Sequence, residues 1–136
     1  MEQYRSAIEA TAEKAFRFAG YGSVVLIAIL SLIPAALRPD TGAPGKLEHF
    51  VAYMGAAALL GLGCSTSSER WQGLWLVPYA GALEIAQIFV PGRHSRFSDF
   101  VVSGLGALVG VVVAFGVAPI LKQLLTSLPI ARGKRV

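Results

Sequence analysis

Four stretches of this 136-residue chain are long, apolar and nearly free of charge: 18–37, 46–64, 71–90 and 99–121. About 20 residues at 1.5 Å each suffice to cross the ~30 Å of hydrocarbon in a bilayer. In that solvent every backbone N–H and C=O must find its partner inside the protein, and a helix does this within one segment. The pattern therefore predicts an all-α fold, an integral membrane bundle of four transmembrane helices occupying 17–121. Composition agrees: 54% of residues are hydrophobic and 15% are charged, against the ~25% charged of an average soluble domain. The single cysteine, Cys64, excludes an intrachain disulfide and a thiolate metal framework. The net charge of +4 is not gathered into a stripe of Lys and Arg interleaved with aromatics, which argues against a nucleic-acid partner.

In chain order, residues 1–16 place Tyr4, Ile8, Thr11, Ala12 and Ala15 at helical spacing, with charges mostly on other faces. This predicts a short helix on the membrane surface, with a frayed, solvated terminus as the alternative. The run from Phe18 to Leu37 should be kinked or ended by Pro34. A cleaved signal peptide competes with that reading, but the run exceeds the usual ~7–15 apolar residues and further runs follow, so a retained helix is preferred. A Pro- and Gly-rich linker, 38–45, leads to a second span built on Gly55, Ala56, Ala57, Ala58 and Gly61. The third carries Trp71, Trp75 and Tyr79 near its start, as in an interfacial aromatic belt, and Pro78 inside it predicts a mild kink. The fourth has Gly106, Gly110 and Ala114 at small-xxx-small spacing, a face suited to close helix packing and to a homodimer. Residues 122–136 form a basic tail.

Four crossings put both termini on one side, together with Arg70. That side holds eight of the twelve Lys and Arg residues, which predicts cytoplasmic N- and C-termini. The notable polar residues then all fall on the other side. Lys46, His49 and Tyr53 lie in the first two turns of the second span. Glu84 and Gln87 lie near the end of the third, and Arg93, Arg96 and Ser98 lie in the turn after it. Asp99 and Ser103 open the fourth. A carboxylate within an apolar span is expensive and needs a reason. The arrangement predicts a polar pocket beneath the outer interface.

Each of these residues has two readings. Glu84 and His49 can act as an acid–base pair or as an interhelical hydrogen bond, such contacts being worth ~1 kcal/mol in membranes. Arg93 and Arg96 can grip a phosphate or carboxylate in bidentate fashion, or extend to the interface and pair with Asp99. Asp99 suits an N-cap of the fourth helix. Lys46 can sit among lipid headgroups, Glu48 is a first-turn acid, and His94 is solvated. His49, Glu84, His94 and Asp99 are metal-ligand types, but no close spacing joins them, so neither a metal nor a cofactor is expected.

At these residues the chain resembles the VanZ-like family of small bacterial membrane proteins. The resemblance rests on Lys46, His49, Phe50 and Tyr53; on Glu84 and Gln87; on Pro91, Arg93 and Ser98; and on Asp99 with Gly106 and Gly110. It covers roughly 44–112. The chain departs from the family pattern at Gly45, where an acidic residue is usual, and at Ser103, where Asn is usual; Glu48 offers a carboxylate one turn away. The resemblance implies a bacterial inner-membrane protein of the cell envelope, associated through the founding member with resistance to the glycopeptide antibiotic teicoplanin.

The expected function is binding or remodelling of an anionic lipid or lipid-linked cell-wall precursor. Its ligand contacts would be Lys46, Tyr53, Gln87, Arg93, Arg96, Ser98, Asp99 and Ser103. The alternatives are an enzyme that modifies such a headgroup, with Glu84 and His49 as acid and base, and a structural or accessory protein without catalysis. Ser95, Ser98 and Ser103 show no nucleophile motif.

Overall fold

The computed structural model describes residues 2–39 and 42–127. Four α-helices make up the architecture: α1 (Glu2–Leu32), α2 (Gly45–Leu62), α3 (Leu76–Gln87) and α4 (Phe97–Ser127). Two 3-10 segments join them, Ala35–Leu37 after α1 and Ser68–Trp75 before α3. The described residues contain no strand.

The boundaries differ from the sequence expectation in four places. The segment predicted as a separate surface helix is continuous with the first apolar run in α1. Residues 2–19 hold neither Gly nor Pro and are rich in Ala, Glu, Lys and Arg, so nothing breaks the helix. Pro34 ends the helix, one of the two outcomes expected of it, and α1 therefore stops at Leu32, short of Leu37. The third span is not one helix. Its first part is the 3-10 segment, and Pro78 falls in the first turn of α3, where a missing N–H removes no bond within that helix. α4 starts at Phe97 and runs through Pro119 to Ser127, beyond the expected end at Leu121. The part of the basic tail carrying Arg132, Lys134 and Arg135 lies outside the described residues.

Two helices are long and apolar enough to cross a membrane: Ser6–Leu32 within α1 and Phe97–Leu125 within α4. Their outward faces are apolar, with Val25, Leu26 and Ile29 exposed on α1 and Leu105, Val112 and Ile120 exposed on α4. An exposed apolar surface of this extent marks contact with something other than water. α2 is diluted by Lys46, Glu48 and His49 in its first turns, and α3 has only 12 residues.

Glycine sets the packing. A Cβ on Gly106 would strike the carbonyl of Phe50, and one on Gly110 the carbonyl of Met54. One on Gly61 would meet Ala114. The contacts advance together along both chains, so α2 and α4 run parallel with their backbones nearly touching. Gly20 lies on Leu60 and Gly63 on Arg17, which sets α1 antiparallel to α2; Gly81 lies beside Phe100 and Gly104 beside Val77, which sets α3 antiparallel to α4. Small residues fill the core between them: Ala56, Ala57, Ala80, Ala107 and Val111. The Gly106/Gly110 face expected to receive a second copy is therefore occupied by α2 of the same chain, because small-xxx-small spacing serves either partner equally. The up-and-down order gathers the C-terminal ends of α1 and α3 and the N-terminal ends of α2 and α4 at one end of the bundle.

Candidate functional site

Three helices meet at that end with titratable side chains. His49 comes from the second turn of α2, Glu84 from the last turn of α3, and Asp99 from the first turn of α4. Their ligand atoms all lie within 4.8 Å of one another. Glu84 is buried; His49 and Asp99 are half-buried. Because α3 stops at Gln87, Glu84 lies three residues, about 4.5 Å, from the helix end. That is shallower than a span reaching Val90 would place it.

Outer contacts hold each of the three. Ser95 Oγ and the Arg96 backbone N–H both donate to Glu84 Oε2 at 3.2 Å. Ser98 Oγ donates to Asp99 Oδ1 at 3.1 Å. Ser103, buried, sets its Oγ 3.4 Å from His49 Nδ1. Asp99 is not the N-cap. The Arg96 carbonyl takes the Asp99 N–H at 2.8 Å, which makes Asp99 the third helical residue; its charge still suits the dipole there. Among the described residues no Lys or Arg forms an ion pair with Glu84 or Asp99. Two carboxylates this close repel, when both are charged, by about 3 kcal/mol at an effective dielectric of about 20.

A cleft of about 170 Å³ adjoins the cluster. His49, Tyr53 and Gln87 form its inner wall, and Arg38, Glu48 and Arg93 its polar rim. Ile27, Leu30 and Ser31 of α1 close the far side. Tyr53 and Gln87 are buried. Arg38 and Glu48 form an ion pair across the linker. Arg93 donates from Nε to the Ile33 carbonyl at 3.2 Å and from its second terminal nitrogen to the Leu30 carbonyl. It thereby satisfies carbonyls left open at the end of α1 and places its charge at the negative pole of that helix. Burial pulls the Arg93 guanidinium below its usual value, with Arg38 adding to the effect and Glu48 opposing it. Gly92, at φ +73°, makes the turn that aims Arg93 inward.

Of the residues singled out from the sequence, His49, Glu84, Asp99, Ser98 and Ser103 thus form one connected cluster, and Tyr53, Gln87 and Arg93 join His49 around the cleft. Arg96 contributes its backbone while its side chain is exposed, and Lys46 is exposed at the start of α2. His94 is exposed and is not a member of the cluster. Arg38 and Ser95 were not among the residues the sequence singled out. Arg38 sits in a linker that reads only as a turn, and Ser95 has no motif around it. No protein-family model, curated protein or solved structure matches this chain.

Proposed function

We propose that the chain is a VanZ-like protein of the bacterial cytoplasmic membrane that crosses it four times with both termini inside. On this reading the third crossing is composite: the 3-10 segment and α3 together reach about 34 Å, enough for the hydrocarbon. The polar end faces outward and receives the headgroup of an anionic lipid or lipid-linked cell-wall precursor. The observation that carries the reading is the cleft, a concave site with two arginines on its rim and an aromatic hydroxyl and an amide on its wall. An arriving phosphate or carboxylate exchanges with Glu48 for the Arg38 guanidinium, which is partly exposed. Arg93, anchored to the end of α1, supplies a fixed positive charge. The acyl chains lie along the apolar outer face of α1. Through the resemblance, this reading associates the protein with the cell envelope and with teicoplanin resistance.

Mass spectrometry of lipid carried through purification, together with partition between anionic and zwitterionic vesicles, tests the proposal. Anionic lipid should be enriched, and Arg38→Gln should reduce the enrichment. Equal recovery of both lipid classes, unchanged by Arg38→Gln, would refute it. The closeness of His49 to Glu84 favours a second reading, in which the pair serves as acid and base on the bound headgroup. Glu84→Gln separates the cases. A catalyst keeps fold and lipid but leaves the headgroup unmodified, whereas a purely structural pair loses bundle stability.

A further inference from the structure

The contacts around His49, Glu84 and Asp99 have a consequence that does not depend on what fills the cleft. The carboxylates approach each other, yet no basic side chain among the described residues pairs with either: Arg93 is engaged on carbonyls of α1 and Arg38 on Glu48, and Lys46 and Arg96 are exposed. Each member of the cluster is also held by a hydrogen bond at one polar atom, from Ser103, Ser95 with the Arg96 N–H, or Ser98. That leaves each a second polar atom, Glu84 Oε1, Asp99 Oδ2 or the other ring nitrogen of His49. Side chains fixed in this way are oriented as metal ligands are, with an outer partner setting the direction of the donor.

We propose that His49, Glu84 and Asp99 bind one divalent first-row transition cation, of the Zn²⁺ or Mn²⁺ type. One imidazole and two carboxylates form a donor set these ions accept, and the only cysteine is Cys64, after the C-terminal end of α2 and away from the cluster. Around an ion with bonds of about 2.0–2.2 Å the donors stand about 3 Å apart. Rotation of the half-buried His49 and Asp99 side chains closes the remaining gap. The ion removes the repulsion between the two carboxylates and ties α2, α3 and α4 together at one point. Three protein ligands leave a coordination position open, and one of the three, His49, also lines the cleft.

Equilibrium dialysis of the full chain in detergent, stripped with chelator and then offered Zn²⁺ or Mn²⁺ alone, tests the site. The expected result is saturable binding of one ion per chain and a melting temperature that rises with the ion. His49→Gln and Asp99→Asn should each weaken binding at least tenfold, and Ser103→Ala by about tenfold through loss of orientation. Glu13→Gln, at the far end of the bundle, should leave binding unchanged. Non-stoichiometric binding that survives His49→Gln and Asp99→Asn would overturn the proposal, as would a melting temperature indifferent to both ions. His49 and Asp99 are half-buried, so His49→Gln and Asp99→Asn test the site without a change at the buried Glu84.

Discussion

The two ends of the bundle are built from the same parts and differ in how charge is balanced. At each end an arginine from one segment caps the carbonyls of another. Arg93 holds the end of α1, and Arg17 donates from Nε and a terminal nitrogen to the Gly63 carbonyl at the end of α2, at 3.2 and 2.9 Å. The ends part company at their carboxylates. Glu13 has Lys122 at 3.6 Å and accepts a hydrogen bond from Ser65. Arg70, buried, lies over the ring of Phe115 at 5.8 Å and donates from a terminal nitrogen to Ser67, while its buried Nε has no hydrogen-bond partner among the described residues. At the other end Glu84 and Asp99 face each other and an imidazole, with a cleft beside them. One end pairs its carboxylate Glu13 with a lysine, and the other leaves two like charges without a Lys or Arg partner among the described residues.

The change with the largest expected effect abolishes the comparison, because it separates the helices that hold both ends. Gly110→Val would drive a side chain into the Met54 carbonyl and Ala57, where α2 and α4 nearly touch. The cost should be about 3 kcal/mol or more. Loss of the folded species in a detergent melt would register it, and wild-type stability would show that the helices can part without penalty. Next in size are the two capping arginines. Arg93→Ala uncovers two carbonyls and should cost about 2–3 kcal/mol, whereas Arg17→Ala uncovers one and should cost about 1–2 kcal/mol. Melting curves of the two variants side by side check the order.

The polar end was legible in the sequence because ionisable residues stand out in apolar runs. Glu84 and His49 sit within apolar runs where a charge or an imidazole is unwelcome and Asp99 opens the next run, so their convergence follows from the up-and-down order of the helices. The roles of Arg38 and Arg93 were not legible in the same way. Arg93 as a cap depends on α1 stopping at Leu32, and Arg38 finds Glu48 across a linker with no periodicity. The 3-10 segment leaves no pattern of its own. It tucks in because Gly73 lies against Val111 and Ala57, with 2.6 Å between a Cβ placed there and Val111 Cγ2. The stripe of Gly106 and Gly110 announced close packing but could not say whether the partner was α2 or a second copy.

Charge removal sharpens the comparison by giving opposite signs at the two ends. In the presence of chelator, Glu84→Gln removes one of two repelling charges and keeps an oxygen for Ser95 and the Arg96 N–H. Stability should rise by about 1 kcal/mol, well below the full Coulomb term because Asp99 is partly exposed. Glu13→Gln breaks a pair whose lysine is 40% exposed, and stability should fall by no more than about 0.5 kcal/mol. A fall in both melts would mean that the polar end is as well balanced as the other.

The smallest effect concerns Cys64, which lies just past α2 at the balanced end. Its thiol donates to the Leu60 carbonyl at 3.2 Å. Burial raises the thiol above its usual value, Glu69 adds to the rise, Arg17 and Arg70 oppose it, and Glu13 adds a smaller push. The sign follows from which state holds the proton. Between the unfolded value and the higher folded one, the folded chain keeps a proton that the unfolded chain has released. Stability from this group is therefore complete below the unfolded value and declines as pH climbs through the folded one. Alkylation of the folded protein should be slower than that of a free thiol at pH 8 and should rise with pH at a higher midpoint. Glu69→Gln, by removing a negative neighbour, should bring that midpoint down. A midpoint at or below that of a free thiol would show that the arginines outweigh burial, and the balanced end would then carry surplus positive charge.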